Sequence, residues 1–205
     1  MVQSWQKCEA PVNKHSSPEF KALILLLQRA HAGELAAAHA YRGHAASWWA
    51  RKEKAPIQAI EADEWKHRAC VAQMLQNLGA EPQALREGVM FLIGTTIGSL
   101  CHIGGWLIPM YGAGHLEATN VGEYEQAARL AFLAGHTELI SALLEMAEVE
   151  WDHEQTFRHY VKSHALGQKL PLWPAPVPRA MIRENFELFK QTAAPLRANQ
   201  SVLKT

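Results

Sequence analysis

Two four-residue motifs, E-W-K-H at Glu64–His67 and E-W-D-H at Glu150–His153, set a carboxylate and an imidazole three residues apart. On a helix, positions i and i+3 share one face, so each pair converges and forms half a site for a divalent transition metal. Each pair also falls where an apolar residue is expected. The first interrupts the stripe Ile57, Ile60, Glu64, His67, Val71, Met74, Leu78; the second interrupts Leu139, Leu143, Met146, Glu150, His153, Phe157, Tyr160. Spacings of three and four mark the seam of a packed helix. Ionisable groups on such a seam are costly unless paired, protonated or bound to metal.

Two more acids break apolar stripes. Glu34 lies among Leu23, Leu27, Ala30, Ala37, Tyr41 and Trp48, and Glu117 among Trp106, Met110, Ala113, Val121 and Tyr124. Four carboxylates and two histidines from four helices match the recipe for a dinuclear carboxylate site in a four-helix bundle. Their charges would be neutralised by two divalent ions. Two iron ions are expected, with manganese as an alternative that carboxylate and imidazole ligands also accept. One E-x-x-H motif is weak, since Glu and His fall three apart by chance in many helices. Two on separate seams, with two further seam acids, are stronger. The competing reading makes these surface residues on helices taken in the wrong phase.

Positioning such a set requires helices, and the chain supplies them. No run alternates with a period of two, and Ala and Leu are common, so the fold class is all-α. Ser17-Pro18-Glu19 reads as a helix start, and the first helix runs to about Trp49. A second spans from near Pro56 to Gly79, a C-terminal glycine reinforced by Pro82. Residues 89–112 contain no Asp, Glu, Lys or Arg. One helix of that length would reach about 36 Å, enough to cross a bilayer. Gly104-Gly105 and Pro109 break it instead, into a short helix to about Ile103 and another to about Ala134. This hairpin is read either as core or as a face toward a membrane or a substrate tunnel. A further helix covers Thr137 to about Ala165, K-L-P-L-W-P-A-P-V-P-R forms a semi-extended linker, and an amphipathic helix runs from about Ala180 to Gln191. The organisation is thus a flexible arm at 1–16, a helical bundle at 17–165, and at 166–205 a Pro-rich linker and C-terminal helix packed on the bundle.

Composition narrows the function. Lys plus Arg equals Asp plus Glu, at 20 each, so there is no basic footprint for nucleic acid. Cys8, Cys70 and Cys101 are odd in number, far apart and without a C-x-x-C. A disulfide framework and a zinc ribbon are disfavoured, and a reducing compartment is the default. The first residues lack an apolar core of signal-peptide length, so a cytoplasmic protein is expected.

Other side chains are assigned around this frame. His31, one turn before Glu34, is read either as a holder of a ligand carboxylate or as an inter-helix histidine. His39 and His44 are placed on outer faces. Asp63, four residues before His67, is read as that imidazole's partner. Tyr41 and Tyr124 lie on core stripes, with Tyr124 a candidate for the site. Trp65 and Trp151 point sideways as packing, and Gly94-x-x-x-Gly98 allows close helix approach.

The motifs R-A-H-A-G-E-L-A-A-A-H-A-Y-R-G (Arg29–Gly43), E-A-D-E-W-K-H (Glu61–His67), the Gly-rich apolar segment Phe91–Gly105, the Glu117 to Tyr124 spacing and E-W-D-H resemble the demethoxyubiquinone hydroxylase family of ferritin-like di-iron proteins. The resemblance covers about residues 29 to 160. It implies a ferritin-like four-helix bundle with an additional short apolar helix and a C-terminal helical extension. It implies iron ligands at Glu34, Glu64, His67, Glu117, Glu150 and His153, the residues already singled out by the seams. The implied reaction is O2-dependent hydroxylation of a benzoquinone or benzoquinol ring with a polyprenyl tail, in ubiquinone biosynthesis. An external electron donor, a homo-oligomer and peripheral attachment to the inner membrane are expected with it. Where that family tends to carry a His before the tyrosine, this chain has Glu123-Tyr124.

Other functions compete. A ferritin-like iron-binding or oxidase protein, for iron handling or another hydroxylation, is the main alternative, but the charge-free 89–112 segment suits a polar shell poorly. A rubrerythrin-type peroxidase would carry C-x-x-C pairs, absent here. A tRNA hydroxylase would need clustered Lys and Arg. A metal-free interaction module would bury four carboxylates without countercharge.

Overall fold

A computed structural model describes residues 17–202, with side chains through residue 193. The predicted arm at 1–16, with Cys8, lies outside the described residues. Within them there are six α-helices and no strand: α1 Pro18–Ala46, α2 Lys54–Asn77, α3 Ala84–Leu100, α4 Leu107–Ala134, α5 Ile140–Ser163 and α6 Arg179–Val202.

The helix ends follow their chemistry. The Ser17 hydroxyl accepts from the Phe20 amide at 3.1 Å, with Pro18 behind it in the first turn. α2 stops as Gly79 takes φ +69°, and the charge-free stretch breaks where Gly105 takes φ +74°, a region that favours glycine. α1 ends at Ala46, three residues short of the expected Trp49. Trp48, assigned to the α1 seam, is therefore 66% exposed. α6 continues past the expected Gln191, because the face that buries Ile182 and Phe186 also buries Ala193.

α1 packs along α2, α4 packs along α5, and α1 meets α4 to join the two hairpins. The bundle interior has three layers. Leu23, Leu27, Val71, Leu75, Val121 and Leu143 belong to one apolar cluster, closed by Ile182 and Phe186 of α6. Ile57, Ile60, Met110, Phe157 and Val161 belong to a second. The seam acids and histidines fall between them in sequence on α2, α4 and α5, so each polar side chain is flanked by apolar turns above and below.

α3 lies outside this interior. It packs on α1 through Gly94 and Gly98, its only buried residues. A Cβ on Gly94 would collide with the Ala36 backbone, and one on Gly98 would lie 2.8 Å from the His39 carbonyl oxygen. Leu85, Leu92 and Leu100 of α3 and Ile103 and Ile108 beyond it are exposed. The core-hairpin reading of 89–112 holds at Met110, which is fully buried, but not for α3: two glycines permit close contact with one helix, and among the described residues no further element covers its exposed apolar side chains. No described helix is long and apolar enough to cross a membrane.

Candidate metal centre

The four seam acids and two seam histidines meet in the middle of the bundle. Glu64, Glu117 and Glu150 are fully buried, and Glu34, His67 and His153 nearly so. They form two overlapping groups. Glu34, Glu64, His67 and Glu150 present ligand atoms within 4.8 Å of one another, as do Glu64, Glu117, Glu150 and His153. Glu64 and Glu150, the acids of the two E-x-x-H motifs, belong to both. Each group could hold one cation, with these two carboxylates shared between them.

The hydrogen bonds leave the donor atoms facing inward. Nδ1 of His67 lies 2.9 Å from Oε1 of Glu150. His153 turns Nε2 to Asp63 at 3.3 Å and aims Nδ1 into the cluster, 3.4 Å from Oε1 of Glu64 and 3.7 Å from Oε2 of Glu150. A carboxylate on the far nitrogen is the usual way a ligating imidazole is oriented. Tyr41 donates to Glu117 and Tyr124 to Glu34, so the two unshared acids are each held by a phenol from the helix opposite. Asn120 adds a contact to Oε2 of Glu117 at 3.2 Å.

Oε2 of Glu34, both oxygens of Glu64, Oε2 of Glu150 and Nδ1 of His153 are buried without a hydrogen-bond partner. Burial pushes the Glu64 and Glu117 carboxyls well above the ordinary carboxylate range, and the charge on Glu150 pushes them further. Burial likewise raises Glu34, against the opposing effect of the neighbouring Glu64 carboxyl. Burial works on Glu150 in the same sense, but the close approach of Glu117, His153 and His67 outweighs it and holds this acid low. His67 is disfavoured as a cation by burial, yet its bond to Glu150 raises it. Orphaned oxygens, proton-holding acids and inward-facing imidazole nitrogens fit a pair of divalent ions.

Several side chains stand elsewhere than expected. Asp63 pairs with His153 across the bundle rather than with His67 on its own helix. His31 does not support Glu34: its Nδ1 meets Glu87 of α3 at 2.8 Å, and Arg68 reaches the same carboxylate at 2.7 Å. Trp65 packs edge-on against His39, as a sideways residue would. His44, assigned to an outer face, is buried, and its ring stacks on Phe157 at 6.5 Å. The 34, 37, 41, 44 spacing on α1 was the signal that could have placed it inside.

Glu154 was not singled out from sequence, yet it is fully buried. It accepts from Arg158 at 2.6 Å and from Nε1 of Trp173 at 2.6 Å. Its i,i+4 spacing to Arg158 reads as a surface ion pair, which hid the linker's anchor.

An apolar cavity of about 770 Å³ adjoins the cluster between α1, α3 and α4. Glu34, Tyr41 and Tyr124 line it, as do Leu100, Ile103 and Ile108 of the exposed apolar face. The centre is therefore connected to that face by an apolar path.

No curated protein and no solved structure matches the chain at a significant level. A family model does, over a span that carries Glu34, Glu64, His67 and Glu117 and ends before the second E-x-x-H. Residues 22–119 match the family described as ubiquinone biosynthesis protein COQ7, the demethoxyubiquinone hydroxylase family that the chain's motifs resemble.

Proposed function

We propose that this chain is a di-iron monooxygenase that uses O2 to hydroxylate a benzoquinone or benzoquinol ring bearing a polyprenyl tail. The observation that carries the reading is the contact between two overlapping Glu/His groups and a large apolar cavity. The family match supports the pathway, ubiquinone biosynthesis.

Glu34, Glu64, His67 and Glu150 would hold one ion, and Glu64, Glu117, Glu150 and His153 the other. Bound iron supplies the reduction of O2, and manganese is an alternative the ligand types allow. In the overall balance a ring C–H becomes C–OH, the second oxygen leaves as water, and an external reductant provides two electrons with two protons. The chain's own residues do the remaining work. Tyr41 and Tyr124 fix the carboxylates of Glu117 and Glu34. Asp63 fixes which nitrogen of His153 faces the acids. Ile93, Ile97 and Ala37 are among the cavity walls that exclude water and accept an apolar substrate. The exposed apolar side chains of α3 suit peripheral docking on a membrane, where such a substrate dissolves.

Iron handling by a polar shell fits that exposed face poorly. The deciding experiment supplies iron-loaded protein with reductant, ¹⁸O2 and a short-tailed demethoxyquinone. Expected is one labelled oxygen in the ring. Iron that oxidises under O2 while the ring stays unlabelled would favour the iron-handling reading.

A further inference from the structure

His44, His115, Thr119 and Glu123 are polar side chains of the cavity wall that the chemistry above does not use, and of these four only His44 is buried. His44 is 3% exposed and lines the cavity on the face of α1 that also carries Glu34, Ala37 and Tyr41. Its imidazole stacks on Phe157, and none of the hydrogen bonds among the described residues uses either ring nitrogen. Tyr41, one turn earlier, stacks on the same Phe157 ring at 5.6 Å and holds Glu117. His44 therefore stands one helical turn, about 5 Å of rise, beyond the tyrosine that touches the acid cluster.

A buried polar group without a partner costs on the order of 1–3 kcal/mol. Ala40, Ile97, Leu100 and Ala113, which line the same cavity, carry no hydrogen-bonding side chain. Burial holds the ring down to a pKa of about 4, so it is neutral near pH 7 and presents one N–H donor and one acceptor nitrogen. A neutral imidazole suits a carbonyl or hydroxyl oxygen; a carboxylate or phosphate would call for a cation.

We propose that His44 is the positioning residue for a ring oxygen of the cavity's ligand, and that it selects oxygenated rings over plain hydrocarbons of the same shape. The inference rests on the quinone reading of the cavity. His44 hydrogen-bonds the oxygen, Phe157 supports the imidazole plane, and the tail lies along the apolar wall toward Ile103 and Ile108. Because the contact is made one turn from Tyr41, it fixes the distance between the ring and the acid cluster.

The test is equilibrium binding to the full iron-loaded chain without reductant, read by tryptophan quenching in detergent. Two probes are used: a decyl-benzoquinone, and decylbenzene, which keeps ring and tail but lacks the oxygens. Three proteins are compared: the parent, His44→Phe and His44→Gln. Expected is about a tenfold loss of quinone affinity in His44→Phe, one hydrogen bond's worth. His44→Gln restores most of that loss, and decylbenzene binds all three alike. Equal loss of both probes in His44→Phe would make the residue mere packing and overturn the proposal. Unchanged quinone affinity in that variant would overturn it as well, leaving the cavity reading intact. Failure of the parent to bind either probe would instead sink the cavity reading, and the inference with it.

Discussion

Nδ1 of His67 on α2 lies 2.9 Å from Oε1 of Glu150 on α5, so the imidazole of the first E-x-x-H meets the carboxylate of the second. Glu150 is held low among the acids of the cluster, while burial and its charge push Glu64 and Glu117 well above the ordinary carboxylate range. The cluster is one electrostatic unit.

His153→Ala removes the nitrogen that faces Glu64 and Glu150. An anaerobic Fe(II) titration of the parent is expected to saturate near two ions per chain. The variant is expected to bind one ion or fewer while its helical circular dichroism stays unchanged. Full occupancy in the variant would remove His153 from the ligand set.

Tyr124→Phe leaves Oε1 of Glu34 without its donor. Loss of a partner to a buried acceptor costs about 1–3 kcal/mol. The melting temperature of the metal-free protein should fall accordingly. Added divalent iron should shrink the difference, because a cation satisfies the same oxygen. Calorimetry with and without iron measures both.

The metal-free protein should lose stability as pH rises. Glu34, Glu64 and Glu117 have folded pKa values raised above the ordinary 4.5. Each folded carboxyl keeps a proton that the unfolded chain has released, so its stabilising contribution is complete below 4.5 and is lost as pH climbs through the folded value. His67, raised above 6.5, adds in the same direction. Glu150 is lowered and opposes them, contributing above its ordinary value and losing that contribution in acid. The Glu150 effect is confined to pH below 4.5, so melting temperature should drop as pH rises above that value, and less so with bound metal. A rise over that window in the metal-free protein would contradict the buried cluster.

Gly94→Val should loosen α3. Even a single Cβ there collides with the Ala36 backbone, and overpacking of this kind costs about 1–3 kcal/mol. Hydrogen exchange should report faster opening of α3 with little change in α2 and α5. Uniform destabilisation of all helices would mean that α3 is integral to the bundle rather than laid upon it.

Trp173→Ala tests the linker's anchor. The ring is buried beside Gly114, where any Cβ would strike it, and its Nε1 holds Glu154. Truncation of a large buried side chain costs about 3–5 kcal/mol. Urea unfolding should show a loss of that order, reduced in Trp173→Phe by the packing that phenylalanine retains.

The sequence by itself determined that the six seam acids and histidines are internal, though it misplaced His44 and Trp48 and missed Glu154. A helical stripe is a local periodicity, so Glu34, Glu64, His67, Glu117, Glu150 and His153 could be selected without knowing how the helices pack. Helix ends at Ser17-Pro18, Gly79 and Gly105 were legible for the same reason, since caps and left-handed turns are made by adjacent residues. Only the tertiary structure decided which stripe residue faces which. Glu64 and Glu150 fall in both groups, Asp63 serves His153 instead of His67, and Glu154 takes Trp173 from a distant linker. Those pairings depend on the rotation and axial shift of one helix against another, and a period of 3.6 residues carries no information about either. The same holds for α3: the charge-free run that starts at Val89 was evident, but only docking through two glycines puts its apolar side chains outside and opens the cavity in which His44 stands.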